Sequence, residues 1–231
     1  MQSSNLGILN TILASENVVE EFYKHYANED FKQWLLSLLP EVEACRNQPQ
    51  DNPWHIYNCL DHILHSVEEM NKLTTELNYK TRRLLAYTMF YHDLGKPTCH
   101  IRRYSKLYKR EVDSFFNHNE VSYDIAYRTA RLFNFTSYQR DIICHLVRNH
   151  DIFMFITLHD DGNPHHQILS YDLLQQEIDK FYDKEDKKTV MQYLIMVGRA
   201  DNLAQNSKMT NNSLQLLNTM EQMLKTLIIN S

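Results

Sequence analysis

The stretch "YHDLGKPTCH", residues 91–100, places a histidine and an aspartate at the end of a segment that otherwise has the composition of a protein core. On a helix, His92 would lie on the same face as Leu85 and Thr88, which precede it by seven and four residues. A buried ionisable group needs a partner, and a divalent cation is the strongest partner available. We therefore interpret His92 and Asp93 as metal ligands.

Composition and apolar spacing predict an all-α fold. The 4 glycines and 5 prolines are too few for a parallel α/β sheet or a β-sandwich, so strands are at most minor. Apolar residues recur at spacings of three and four, as in helices. The predicted helices cover residues 5–27, 57–77, 80–94, 118–133, 137–150, 171–183, 186–205 and 211–229. A further helix is predicted to begin after 5–27, at an N-cap formed by Asn28 or Asp30. We expect residues 98–116 to form an irregular basic loop.

Charge, hydropathy and cysteine content limit the class of protein. The net charge of −5 excludes a general nucleic-acid coat, which needs a global basic field. No apolar run approaches the length of a membrane span, and the first ten residues lack the layout of a signal peptide. The 4 cysteines are scattered without a CxxC pair, which is typical of a reduced chain. We expect a cytoplasmic protein that does not interact with membranes.

Other ionisable residues lie on apolar helix faces by the same test. Asp201, for example, follows Leu194 and Val197 by seven and four residues. The further members of this set are His62, His118 and His150. Taken singly, such a histidine is usually satisfied by one hydrogen bond, and such an aspartate by an arginine. Taken together, they would require one core to hide five or six separate ionisable groups. A mixed histidine and carboxylate set suits Mn, Fe, Co, Ni or Zn, or Mg if carboxylate and water dominate.

Several remaining histidines have simpler interpretations. His159 and Asp160 sit beside "DGNP" and indicate an exposed turn. His145 is five residues from His150, which places the two apart around a helix and argues against a shared ion. His65 follows His62 by three residues, and we interpret it as part of the helix surface or as a support for a ligand.

The order of these motifs resembles a known family. The pattern His62, then His92-Asp93, then Asp201 is similar to the HD-domain superfamily of metal-dependent phosphohydrolases. The closer resemblance is to the HD domain of bacterial CCA-adding tRNA nucleotidyltransferases and its stand-alone relatives. The matching stretches include "LLAYTMFYHDLGKPTC", "FFNHNEVSYDIAYRTARLFNF", "ICHLVRNHD" and "GRADNLAQN", within roughly residues 38–206.

The resemblance implies an architecture. It is a single helical domain over residues 1–231, with N-terminal helices in 1–50, an HD-domain helical bundle in 51–206 and a C-terminal helix in 207–231. The amphipathic segment 211–229 either closes the core or pairs with a second copy in a homodimer. The module is expected to stand alone, which leaves a tRNA connection open.

The resemblance also implies roles for individual residues. His62, His92, Asp93 and Asp201 would bind one divalent ion. A second ion would use His118 and His150, with Asp93 as the bridge. The catalytic residues would be His92, Asp93 and Lys96, with Lys96 near the substrate phosphate.

The substrate side is less defined by the sequence. Candidate substrate-binding residues are His55, Lys96, Arg102 and Arg103. The basic segment 102–110 fits either an RNA-binding rim or a solvated loop. The expected activity is phosphomonoesterase or phosphodiesterase hydrolysis of a nucleotide, cyclic nucleotide or nucleic-acid end. The alternatives are an HD-fold di-iron oxygenase and a non-catalytic module that binds nucleotides or nucleic acid.

Overall fold

The computed structural model describes residues 2–181 and 187–229, and α-helices dominate this part of the chain. The helices are α1 (Gln2–Leu13), α2 (Val18–Tyr26), α3 (Glu29–Leu38), α4 (Glu41–Arg46), α5 (Cys59–Leu73), α6 (Tyr79–Tyr91), α7 (His118–Thr129), α8 (Ser137–Asn149), α9 (Tyr171–Asp179), α10 (Lys187–Leu203) and α11 (Asn211–Ile229). The strands are β1 (His100–Ser105), β2 (Arg110–Phe115), β3 (Ile156–Thr157) and β4 (Gln167–Ile168). The predicted all-α class is confirmed.

The bundle is built around α5, α6, α8 and α10, which pack against one another. The N-terminal helices α1 and α2 cover α6 and α5, while α7 packs on α8 and α11 on α10. Every residue from Leu84 to Tyr91 in α6 is buried. The end of α6 therefore lies inside the bundle, where side chains from several helices can meet.

Local sequence signals fix where the central helices begin. The Asn58 side chain accepts a hydrogen bond from the backbone of Asp61 at the start of α5, and Asn78 does the same for Thr81 in α6. Thr136 and Gln139 form a capping box at α8. Of the two predicted caps for α3, the structure uses Asn28. These caps satisfy backbone N–H groups that a helix leaves without partners.

The predicted helix over 5–27 is wrong in one respect, because it is two helices with a break at 14–17. Asn71 of α5 donates hydrogen bonds to the carbonyl oxygens of Leu13 at 2.9 Å and Ser15 at 2.8 Å. The Ser15 hydroxyl accepts from the Asn17 backbone at 3.0 Å. Carbonyls that would continue the helix are satisfied from another element, so α1 ends there.

The C-terminal end of α6 also differs from the sequence prediction. The helix predicted for 80–94 ends at Tyr91, and His92 and Asp93 lie in the tight turns that follow. A 3₁₀ helix over Lys96–Cys99 continues those turns. In the predicted helices 171–183 and 186–205, residues 182, 183 and 186 lie outside the described residues.

The segment predicted as an irregular loop, 98–116, contains an antiparallel hairpin of β1 and β2. Arg102 lies opposite Asp113 in the register, and its guanidinium contacts the Asp113 carboxylate at 3.1 Å. Asp51 lies in the connector before α5, and its backbone N–H donates to the Asp113 carboxylate at 2.7 Å. The backbone N–H of Asp113 in turn donates to the Asp51 carbonyl at 3.0 Å. The buried Asp113 thus fastens the hairpin to the connector. β1 is exposed along most of its length and has no apolar alternation, so its sequence did not predict a strand.

In the described residues, no helix has both the length and the hydropathy that crossing a membrane requires.

Close packing of α10 gives a test of the fold. A Cβ at Gly198 would lie 2.5 Å from the Phe153 ring, so we expect Gly198→Ala to lower the free energy of unfolding by about 1–3 kcal/mol. Gly7 in α1 has nothing within 4 Å of the same position, so Gly7→Ala should raise stability by roughly 0.5–1 kcal/mol. Urea unfolding followed by circular dichroism measures both. Equal stability of the two variants would contradict this packing.

Candidate metal centre

The first group of candidate ligands joins three elements. His62 of α5, His92 after α6 and Asp201 of α10 each offer a ligand atom within 4.8 Å of the others. The Asp201 Oδ1 atom lies 2.9 Å from His62 Nε2 and 3.6 Å from His92 Nε2. Residues 139 positions apart in the chain therefore converge, since α5, α6 and α10 pack against one another.

A second group lies beside the first. Asp93, His118 and His150 are all buried, and their ligand atoms lie within 4.8 Å of one another. His118 is the first residue of α7, and His150 directly follows α8. Their Nε2 atoms are 3.2 Å apart.

Asp93 connects the two groups because its two oxygens face in different directions. Oδ2 lies 3.2 Å from the Nε2 atoms of both His62 and His92. Oδ1 lies 3.1 Å from His118 Nε2 and 3.7 Å from His150 Nε2. A carboxylate in this position can bridge two cations.

Asp151 belongs to the second group, although the sequence analysis did not assign it. Its Oδ2 atom is 3.3 Å from His118 Nε2, and its Oδ1 atom is 3.2 Å from His150 Nε2. The signal was present in the dipeptide His150-Asp151, which has the same form as His92-Asp93. Helical spacing could not select Asp151, because it lies in the turn beyond α8.

Backbone carbonyls orient the four imidazole rings. The Nδ1 atoms of His92, His118 and His150 lie 2.6–2.7 Å from the carbonyls of Met89, Phe115 and Val147. The Nδ1 atom of His62 lies 3.4 Å from the Ala204 carbonyl. A carbonyl only accepts, so each Nδ1 carries a proton and each Nε2 is turned toward the carboxylates. Metal-binding histidines in proteins are held in this manner.

Several buried atoms of the centre have no well-directed hydrogen bond. They are His62 Nε2, His92 Nε2 and both oxygens of Asp93. These atoms lie close enough together for hydrogen bonds, but their angles are unsuitable. The ring nitrogens and carboxylate oxygens point at common positions between them instead of at each other. Unsatisfied buried groups of this kind are costly. Imidazole and carboxylate ligands fit a divalent metal ion at each group.

Comparison with protein families identifies the chain. The model of the HD domain matches residues 59–204, which is more than half of the chain and includes both ligand groups. The chain belongs to the HD domain family. A comparison with curated proteins found no match. An HD domain is typical of metal-dependent hydrolases, and the two groups fit that broad class.

Gly95 brings the HD pair, His92 and Asp93, against α7. A Cβ at this glycine would lie 2.4 Å from the His118 carbonyl oxygen and 2.8 Å from the Ser122 backbone nitrogen. The Gly95 N–H also donates to the Ser122 hydroxyl at 2.9 Å. A residue with a side chain would force α7 away, so this close approach places His118 beside Asp93.

Carboxylates control the protonation of the HD-domain centre. Burial alone would lower the pKa of His92, but the Asp93 and Asp201 carboxylates outweigh it and raise the pKa to about 10. For Asp93, burial acts to raise the pKa, yet His92 and Lys96 hold it well below its ordinary value. The pKa of Asp201 is likewise held well below its ordinary value: burial opposes ionisation, and hydrogen bonds with His62 and His92 overcome it. Without a cation, ring protons and Lys96 balance the carboxylates.

Lys96 is buried beside Asp93 and is surrounded by acceptors. Its ammonium lies 2.6 Å from Asp93 Oδ2, 2.9 Å from Gln50 Oε1 and 3.1 Å from His55 Nε2. His55 Nδ1 lies 2.8 Å from Asn52 Oδ1, which leaves Nε2 as the acceptor for Lys96. Burial, followed by the Lys96 charge, holds the pKa of His55 well below its ordinary value. Gln50 and Asn52 lie in a polar connector without periodicity, so sequence reasoning had no signal for them.

The structure places the other predicted residues away from the two groups. Arg102 is ion-paired with Asp51 and Asp113, and Arg103 donates to the Ser114 hydroxyl and stacks on Phe116. His65 contacts Glu68 and Tyr57, His145 packs on Phe181, and His159 is exposed. These placements agree with the simple interpretations of the three histidines.

Substituting Gly95 tests the contact between the HD pair and α7. We expect Gly95→Ala to weaken binding of the metal ion at the second group by about 10- to 100-fold, because His118 must move with α7. Isothermal titration with Mn²⁺ or Ni²⁺ measures the affinity, and Gly7→Ala is the matched control for the same change in an open position. Unchanged affinity in Gly95→Ala would show that α7 is free to adjust.

Metal binding should release protons, because a ligating imidazole must give up the Nε2 proton that the carboxylates hold on His92. The pKa of His92 is about 10, so this proton is present throughout the neutral range. Apparent affinity should therefore rise about tenfold per pH unit between pH 7 and 9. Titration calorimetry in buffers of different protonation enthalpy counts the released protons. A flat pH dependence would contradict the protonated state of His92.

Proposed function

We propose that this HD domain is a metal-dependent phosphohydrolase for small phosphate esters, such as a nucleotide or a cyclic nucleotide. The supporting observation is the pair of histidine and carboxylate groups that share Asp93. Two neighbouring cation sites bridged by one carboxylate are suited to the attacking and leaving oxygens of a phosphoryl group.

A divalent ion held by His62, His92, Asp93 and Asp201 would supply a hydroxide at neutral pH and polarise the phosphoryl oxygens. His118 and His150, with Asp151, would hold a second ion. Lys96 provides a fixed positive charge next to Asp93 and favours the anionic form of that carboxylate. Most of the ligands are buried, and the low dielectric constant around them strengthens each of these electrostatic interactions.

The exposure of the ligands favours a small or terminal phosphate. The side chain of Asp151 is 23% exposed, and those of Asp201 and His118 are 13% and 11% exposed. Those of His62, His92, Asp93 and His150 are at most 2% exposed. A substrate thus approaches past Asp151 and Asp201 through a restricted opening. A projecting phosphoryl group suits this access better than an internal linkage of a polymer.

The charges of the hairpin give limited support to RNA as a substrate. Arg102 and Arg110 both pair with Asp51, so their charges are already balanced. Arg103, Lys106 and Lys109 remain as basic residues of the 102–110 segment without an ion pair in the described residues, and Arg103 donates to the Ser114 hydroxyl. RNA binding, the particular likeness to CCA-adding enzymes, homodimer formation and a cytoplasmic location stay predictions.

The alternative enzyme, a di-iron oxygenase, would use the same two ligand groups. The geometry of the ligands suits iron as well as other divalent metals. Iron-dependent consumption of dioxygen is the observation that would identify it. A non-catalytic module has no need of two groups of buried ionisable residues, so we rank it third.

Hydrolysis of phosphate esters tests the proposal. Candidate substrates are p-nitrophenyl phosphate, bis-p-nitrophenyl phosphate, nucleoside monophosphates and 2′,3′-cyclic nucleotides, each with Mn, Ni, Co or Mg. We expect turnover with at least one combination of substrate and metal ion. The rate should fall at least about a hundredfold in His92→Ala and in Asp93→Ala, since each substitution removes a metal ligand. His65→Ala is the matched control, because His65 is on α5 but contacts Glu68 instead of the centre. Equal rates in wild type and the His92→Ala, Asp93→Ala double variant would refute the mechanism.

A further inference from the structure

A cavity of about 90 Å³ lies between α1, α5 and the first half of α6, away from the metal centre. Arg82, in its wall, precedes His92 by ten residues, which is roughly 15 Å along a helix at about 1.5 Å per residue. The cavity and the HD pair are therefore at opposite ends of α6, and the function proposed above does not use the cavity.

The cavity wall has two positive charges and no acidic residue among the described residues. Arg82 is half-buried, and its side chain has no hydrogen bond or ion pair in the described structure. Arg83 donates to Asn10 Oδ1 at 2.9 Å and to the Phe133 carbonyl, and its guanidinium lies over aromatic rings. All partners of Arg83 are uncharged. In a chain of net charge −5, two adjacent guanidiniums without a carboxylate leave room for an external anion.

Asn71 gives a second and independent indication of a ligand. This side chain is 5% exposed and lines the cavity. Its Nδ2 group donates to the carbonyls of Leu13 and Ser15, so both amide protons are used. Its Oδ1 atom accepts no hydrogen bond from the described residues. Because this oxygen accepts no hydrogen bond from the described residues, a hydroxyl or ammonium group inside the cavity could donate to it.

The rest of the wall is mostly apolar, apart from Tyr79 and from Asn10, whose Oδ1 atom accepts from Arg83 and Tyr87. Leu13, Ala86 and Tyr87 are buried and contribute hydrocarbon and ring surface. A volume of about 90 Å³ holds several water molecules, since one water needs about 10–15 Å³ of such space. The occupant is thus a short molecule with an anionic end, a neighbouring donor and a small apolar body.

We propose that the cavity binds a small carboxylic acid of roughly three or four carbons that has a hydroxyl or amino group next to the carboxylate. The carboxylate pairs with Arg82, the hydroxyl or ammonium donates to Asn71 Oδ1, and the short carbon chain contacts Leu13 and Ala86. This site is separate from the metal centre, and its existence does not depend on the proposed hydrolase activity.

Calorimetric titration of the full chain with sodium L-lactate, L-alanine and sodium propionate, at constant ionic strength in sodium chloride, tests the site. We expect L-lactate or L-alanine to bind more tightly than propionate, which lacks a donor for Asn71. Arg82→Gln should weaken binding at least tenfold by removing the charge. Ala14→Phe should do the same by covering the entrance, since Ala14 is an exposed residue of the wall. Arg131→Gln, which removes an exposed arginine away from the cavity, should leave the affinity unchanged.

Three results would overturn the proposal. One is the absence of heat from all three acids, and another is equal affinity for propionate and L-lactate. The third is equal affinity in wild type, Arg82→Gln and Ala14→Phe, which would place the carboxylate at the metal centre or elsewhere. Urea unfolding confirms that each variant is folded, and because both substituted side chains reach the surface, either variant alone decides the location.

Discussion

The structure depends on one buried carboxylate, that of Asp93, whose two oxygens contact different groups of histidines. Asp93 directs Oδ2 at His62 and His92 and Oδ1 at His118 and His150. A fully buried anion in such surroundings is stable only when cations or donors surround it. Apart from α7, which brings His118, the helices that bring those groups form the centre of the bundle, so the core and most of the site are a single arrangement.

The second constraint is the balance of charge inside that arrangement. Three carboxylates, Asp93, Asp151 and Asp201, meet four imidazoles and the ammonium of Lys96. The carboxylates raise the pKa of His92, and the imidazoles and Lys96 keep Asp93 ionised. A divalent cation can replace a ring proton without rearranging the helices, since the Nδ1 hydrogen bonds already fix the rings.

Most of the site could be predicted because its residues obey helical periodicity. His62, His118, His150 and Asp201 fall on apolar faces, and the HD pair ends the most deeply buried helix. The features that could not be predicted from the sequence depend on contacts between segments that are distant in the chain. The break between α1 and α2 depends on Asn71, the hairpin on Asp113 and Asp51, and the surroundings of Lys96 on Gln50 and His55. None of these partners is close in sequence to the residue that it fixes, and no spacing rule links them.

The spread of the ligands along the chain has a consequence for biosynthesis. His62 and Asp201 contact each other across 139 positions, and α10 is the penultimate helix of the described chain. A nascent polypeptide cannot complete the first cation site until α10 has been synthesised, whereas the second site needs the chain only as far as Asp151. Before Asp201 is available, His62, His92 and Lys96 are the groups that can face the Asp93 carboxylate, and all of them are translated before α10. Lys96 contributes a positive charge only three residues from Asp93, so this aspartate is near a counter-ion from an early stage of synthesis.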